Sequence, residues 1–163
     1  MRLLLPLLSL LAACGLQPVY SGGGQGAAAG LLGAVEVLPI ADQAGFLVRD
    51  RLLQRLPEGA SPRYRLQVVL QDDISGFGVR GDNSIIRERR TLRARYRLLE
   101  AATDEVLLDD SASADAGVDV VSSEYAVVAA ESTALERLAQ QIADQIVSRL
   151  ALYGRDHGRD GGG

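Results

Sequence analysis

The 163-residue chain carries 17 basic residues against 21 acidic ones, a formal net charge of −4, and so mild an acidic excess gives no reason to expect nucleic acid as a main partner. One cysteine and one histidine exclude an intramolecular disulfide and a zinc site built from Cys and His. Every basic residue is arginine, whose planar fork pairs with carboxylate and phosphate in a two-pronged way that lysine does not match.

The chain begins MRLLLPLLSLLAACGLQPVY. The uncharged run of residues 3–13 is preceded only by Met1 and Arg2. It is well short of the about 20 apolar residues that a membrane-spanning helix requires, and its charged start and apolar middle are those of a secretory signal. LAAC then sets small Ala12 and Ala13 before the lone Cys14, which is the pattern of a bacterial lipobox. Cys14 is therefore expected to accept diacylglycerol and become the new N-terminus. The alternative, a small apolar residue inside the signal, gives an exported chain no use for its single thiol. Two or three acyl chains anchor stably where one does not, so the mature protein is expected to be membrane-tethered without crossing the bilayer. An inner-membrane retention signal usually begins with Asp where this chain has Gly15. The expected address is the periplasmic side of the outer membrane.

Removal of residues 1–13 leaves 16 basic and 21 acidic residues in a length suited to one domain. Residues 14–32 are expected to be the lipidated terminus and a linker, since SGGGQGAAAG (21–30) has a flexible composition. Residues 33–153 carry periodic hydrophobicity and are expected to form the folded domain. GRDHGRDGGG (154–163) is expected to be a disordered tail.

AVEVLPI (34–40) is a short strand ended by Pro39. A helix follows, with Asp42 as its N-cap, Phe46, Leu52, Leu53 and Leu56 near its packed face, and a stop at Pro57 and Gly59. In RYRLQVVLQDD the period drops to two, with Tyr64, Leu66, Val68 and Leu70 on one side. The strand SIIRERRTLRARYRLLE places Leu92, Ala94, Tyr96 and Leu98 on a packed face and Arg87, Arg89, Arg93, Arg95 and Arg97 on the other. Glu88 and Arg90 interrupt the apolar set, as if that end were less covered. AATD (101–104) is a turn, and EVLLDDSAS returns antiparallel, with Asp109 expected near Arg95. Residues 124–153 form a long amphipathic helix through Leu135, Leu138, Ile142, Ile146, Leu150 and Tyr153. The expected fold class is α+β, a two-layer sandwich with two helices on one face of a roughly four-stranded mixed sheet, in the order β-α-β-β-β-α.

GFGVRG (76–81) matches G-x-G-x-x-G, but that chemistry needs a helix opening directly after the glycines, and the following residues read as a strand. A glycine-rich hairpin loop is the better reading, and the RGD within it has no animal extracellular setting. His157 sits in the glycine-rich tail. The pairs Asp72–Asp73 and Asp109–Asp110 are read as solvated strand ends. No catalytic, cofactor or metal residues are assigned, and the protein is read as a non-enzyme without cofactors. The five arginines on one strand face repel one another, so something acidic must offset them. Two readings remain open: a solvated face paired locally with groups such as Asp109, or a surface for a polyanion or partner protein.

Several stretches together resemble one family. They are LAACGLQPVY, in which Cys-Gly-x-x-Pro-x-Tyr follows the lipobox, then DQAGFLVRDRLLQRL, YRLQVVL, RARYRLLEAATDEVLL and SEYAVVAAESTALERLAQQIADQIVSRL. They cover most of the chain and resemble lipopolysaccharide-assembly lipoproteins of the LptE type in their alphaproteobacterial form. The resemblance implies a two-layer α/β domain that plugs a large outer-membrane β-barrel (LptD-like), assists its assembly and helps pass lipopolysaccharide to the cell surface, with basic residues contacting lipopolysaccharide. Those residues do not transfer one by one, so Arg87, Arg89, Arg93, Arg95 and Arg97 are partner or polyanion candidates on the charge argument alone. The absence of lysine and the glycine-rich end depart from better-known relatives. The alternative function is an auxiliary or scaffold lipoprotein of another envelope transport system.

Overall fold

The structure is a computed structural model and describes residues 26–57, 61–79, 85–119 and 123–160. Cys14 and the hairpin tip at 80–84 lie outside the described residues. The elements are α1 (Ala27–Leu32), β1 (Val35–Val37), α2 (Asp42–Arg55), β2 (Tyr64–Val79), β3 (Ile85–Glu100), β4 (Val106–Asp119) and α3 (Glu124–Asp160). The sheet order is β1-β2-β3-β4. β1 runs parallel to β2, and β2, β3 and β4 pair antiparallel in turn. The parallel step is possible because α2 crosses between β1 and β2, whereas the antiparallel pairs need no such crossover.

Period-two alternation sorts the sheet into two faces. Leu66, Val68, Leu92, Ala94, Tyr96, Leu98, Leu108, Ala112 and Ala114 are buried on one of them. Against that face lies α3, whose Leu135, Leu138, Ile142, Ile146 and Leu150 recur at three- and four-residue intervals and are all buried. At about 1.5 Å per residue its 37 residues span about 55 Å, enough to run the length of the sheet. The expected α+β architecture is therefore the observed one, with both long helices on the same face.

Several local expectations change. On α2 the buried side is Ala44, Gly45, Val48 and Leu52, continued by Leu56, while Phe46 is 70% exposed and Leu53 46%. Gly45 lies on this inward side against Ile40: a Cβ there would sit 2.7 Å from the Ile40 carbonyl carbon and oxygen, an approach that only glycine permits. The N-cap is Ala41, and Asp42 starts the helix with φ 67° and no side-chain cap from its neighbour. Asp72 and Asp73 lie within β2, not at a strand end. Gly76 and Phe77 are paired strand residues opposite Glu88 and Arg87.

Two stretches placed outside the domain by their composition are helical. Residues 27–32 form α1, with Leu31 buried, and α3 continues through 154–160. They meet at Gly154, where an added Cβ would lie 3.0 Å from the Ala28 Cα and 3.2 Å from the Leu31 Cβ. Gly154, placed in the glycine-rich tail by composition, instead lets two helices touch. His157 is exposed, stacks on Tyr153 with ring centroids 3.9 Å apart, and its Nδ1 lies 3.0 Å from the Tyr153 carbonyl oxygen.

Candidate functional site

The sheet face turned away from the helices carries the arginine ladder. Arg87, Arg89, Arg93 and Arg95 are exposed and Arg97 is half-buried, all on alternate positions of β3 beside the acidic and hydroxyl side chains of β4. Arg87 Nε donates to Asp119 Oδ1 at 2.9 Å, and Arg89 Nε lies 3.8 Å from Asp115 Oδ2. Arg95 donates through Nε and Nη2 to the two oxygens of Asp109 at 3.1 Å each, and Arg97 Nε donates to Asp109 Oδ2 at 3.0 Å. The strand register makes Arg97 the direct cross-strand partner of Asp109, and Arg95 its diagonal neighbour. These hydrogen bonds, that of Arg95 first, hold the Asp109 carboxyl below its usual range.

The middle of the ladder is under-compensated. Arg93 sits between Gln71 of β2 and Ser113 of β4 and makes no ion pair with an acid among the described residues. Arg95 and Arg97 thus share a single carboxylate, Asp109, and exposed Asp73 of β2 lies diagonally beside Arg93 on the same face, whereas Arg87 and Arg89 each face an aspartate. A depression of about 440 Å³ lies at this point, bordered by Val69, Gln71, Arg93, Arg95, Ser111 and Ser113. Val69 is 65% exposed beside it. Guanidinium forks flanked by hydroxyls suit phosphate or carboxylate oxygens, with a small apolar contact alongside.

The hairpin brings all five arginines onto one face, as their spacing implied, and places Asp109 against Arg95. What sequence reasoning missed is the contribution of Ser111, Ser113 and Val69. The first two follow Asp109 at alternate positions and were legible as its neighbours once the register was known. On the opposite face Asp110 accepts from Arg149 Nε of α3 at 2.8 Å, so the adjacent aspartates serve different faces. The Arg149 bond, then the Ser111 backbone N–H, holds Asp110 below its usual range. Nearby Tyr96 is buried, and loss of solvent, then the charge of Asp110, pushes its phenol up to about 12.

Among the described residues no helix is long and apolar enough to cross a membrane. A protein of Rickettsia prowazekii, the uncharacterized protein RP188, is 27% identical over 150 residues, covering 92% of this chain and 94% of its own. A Caulobacter crescentus protein described as a lipoprotein shares the fold with a TM-score of 0.62 and 25% identity, over 77% of this chain and 93% of its own. Rare lipoprotein B of Shewanella oneidensis has a TM-score of 0.55 at 12% identity, over 71% and 94%. Lipoprotein B of Nitrosomonas europaea has 0.58 at 14%, over 76% and 86%. These last two likenesses concern the fold alone. The sequence model of the lipopolysaccharide-assembly family LptE matches residues 32–150, a span that includes β1 through β4, α2 and the buried stripe of α3, and the chain belongs to that family.

Proposed function

We propose that this lipopolysaccharide-assembly lipoprotein is acylated at Cys14, resides on the periplasmic side of the outer membrane, and seats its arginine-bearing sheet face within the β-barrel that translocates lipopolysaccharide, assisting the barrel's assembly. The observation that carries this reading is the middle of the ladder, where Arg95 and Arg97 share one carboxylate and Arg93 makes no ion pair among the described residues. Barrel interiors of this type are polar, so an open, polar, arginine-bearing sheet face suits such a lining. The same forks fit the phosphates of lipopolysaccharide, and direct contact with it belongs to the proposal. The lipobox at residues 11–14 supplies the anchor.

Two measurements test this. Native protein extracted from its own membranes in detergent is expected to carry a stoichiometric large β-barrel. Recovery without one favours the auxiliary-lipoprotein alternative. Charge reversal of Arg93, Arg95 and Arg97 to Glu is expected to weaken the complex and flatten the salt dependence of the remaining binding, because it removes the screened part of the attraction. An unchanged affinity and salt response would refute the role of this face. For the anchor, Cys14→Ser is expected to leave the signal uncleaved and shift mass spectra from the diacylated to the unmodified N-terminus.

A further inference from the structure

Most of β2 is held on one side only. It pairs with β3 without interruption from Tyr64 to Phe77, whereas β1 covers its other side at Tyr64, Arg65 and Leu66 alone. The Tyr64 N–H donates to the Ala34 carbonyl at 3.0 Å, and the Leu66 carbonyl accepts from the Leu38 N–H at 3.1 Å. The even positions of β2 therefore turn their backbone groups toward that side, and the odd positions turn theirs toward β3. Past Leu66 the even set runs through Val68, Leu70, Asp72, Ile74 and Gly76, whose backbone groups have no partner on the open side among the described residues. Residues 71–76 are all exposed. At Asp72 it is the backbone that meets solvent, since the side chain is only 25% exposed.

One arginine fastens the packed face behind this edge. Arg90 donates from Nε and Nη2 to the two oxygens of Asp72 at 2.9 and 2.6 Å, and from Nη1 to the Glu131 backbone carbonyl at 3.0 Å. One guanidinium thus joins β2, β3 and α3. The sequence suggested that Glu88 and Arg90 mark an uncovered end. Instead Glu88 is half-buried and α3 covers Arg90, whose side chain is only 12% exposed. The open edge therefore belongs to a strand already fixed in place, so docking on it orders little.

The other edge of the sheet is guarded. In β4 the outward set is the odd one, because the even residues bond to β3. There the Ser111 N–H donates to Asp110 Oδ1 at 2.8 Å, and the Ser113 carbonyl accepts from Gln145 Nε2 at 3.2 Å. Side chains that occupy outward groups in this way oppose pairing with another chain. Residues 67–79 of β2 contain no proline, lysine or arginine to do the same. They present Val69 on the ladder face, 65% exposed, and Ile74 on the packed face, 48% exposed. Gly76, which the GFGVRG stretch contributes, leaves room for another backbone.

We propose that the edge of β2 from Val68 to Gly76 is a strand-addition site: an extended segment of a partner protein continues the sheet where β1 stops, with apolar side chains beside Val69 and Ile74 and a basic one beside Asp73. Only extended backbone supplies donors and acceptors at this alternating spacing. Asp73 is exposed and makes no ion pair among the described residues, so a cation opposite it is favoured. A second copy of this chain fits worse, since antiparallel pairing of two such edges in full register sets Asp72 opposite Asp72. The chain's own SGGGQG stretch (21–26) has almost no side chains to place beside Val69 and Ile74. This docking uses the sheet edge rather than the arginine face, and it does not depend on the partner being the barrel.

The test is amide hydrogen exchange, read residue by residue on the full acylated protein in detergent. The probe is a peptide of the same length as the open edge that alternates Val and Thr and carries one Arg. With the peptide at about 100 times its Kd, exchange at Leu70, Asp72, Ile74 and Gly76 is expected to slow by up to about 100-fold, the limit set by the unbound fraction. Exchange at Val69, Gln71 and Asp73, whose N–H groups already bond to β3, is expected to change far less. The same peptide N-methylated at alternate amides is expected to give no slowing. Ile74→Pro, which removes an outward N–H and no bond to β3, is expected to remove most of it. Native protein extracted from membranes with its partner bound is expected to show the same alternation. An extract without a barrel refutes the barrel reading and leaves the peptide to decide the edge. No slowing with the peptide, uniform slowing along 68–76, or slowing that survives N-methylation overturns strand addition. Alternation that appears without peptide, as a dimer forms, gives the edge to a second copy and overturns the partner strand.

Discussion

Leu52→Ala is expected to lower the free energy of unfolding by about 2–5 kcal/mol, whereas Leu53→Ala, one residue along the same helix, costs no more than about 0.5–1 kcal/mol. Leu52 is fully buried and Leu53 is 46% exposed, so the first substitution leaves a cavity beneath α2 and the second mainly trims a solvated side chain. A single domain is typically stable by about 5–15 kcal/mol, so the first variant loses a large share of its margin. Urea denaturation of both variants checks this, and the midpoints should separate while the denaturant slopes stay equal. Equal losses would mean that α2 presents the Phe46–Leu53 face to the core.

Arg90→Met is expected to destabilise by about 2–3 kcal/mol. Removing one member of a buried pair costs about 3–5 kcal/mol because the survivor is left uncompensated, and here Asp72 keeps 25% of its side-chain exposure, which lowers the figure. The same substitution also orphans the Glu131 carbonyl, so the first turns of α3 should lose protection first. Changing both partners, Arg90→Met with Asp72→Leu, should recover much of the loss, since an apolar pair has no charge to strand. Arg95→Met is the contrast. Its side chain is 67% exposed, so its unfolding midpoint should not move measurably although partner binding does. Thermal and chemical unfolding of the set distinguish a structural arginine from a surface one.

The two kinds of arginine were not separable by counting. Odd and even positions of β3 follow from alternation, and the apolar identities of Leu92, Ala94, Tyr96 and Leu98 assign the packed face without further help. Arg90 falls on that face by the same rule, but whether it is covered depends on how far α3 reaches, which no local pattern states. α3 was read as ending at Tyr153 because glycines follow. It continues to Asp160, and its Gly154 lies against α1, a contact between residues more than a hundred positions apart. Asp109 and Asp110 looked like one solvated pair, yet strand alternation sends them to opposite faces, one to Arg95 and Arg97 and the other to Arg149.

From the amino-acid order alone came the four strands, the two long helices, the two-layer arrangement and the arginine face, each written in short-range periodicity, and a period of two or of 3.6 survives any detail of packing. The family resemblance came instead from particular stretches such as the one around Cys14. Only the folded chain decided which side of α2 is buried, which arginines find a carboxylate, and that α3 covers Arg90. Those outcomes rest on register, on helix rotation and on the close approach of α1 at Gly154, all of which are set by contacts between distant segments.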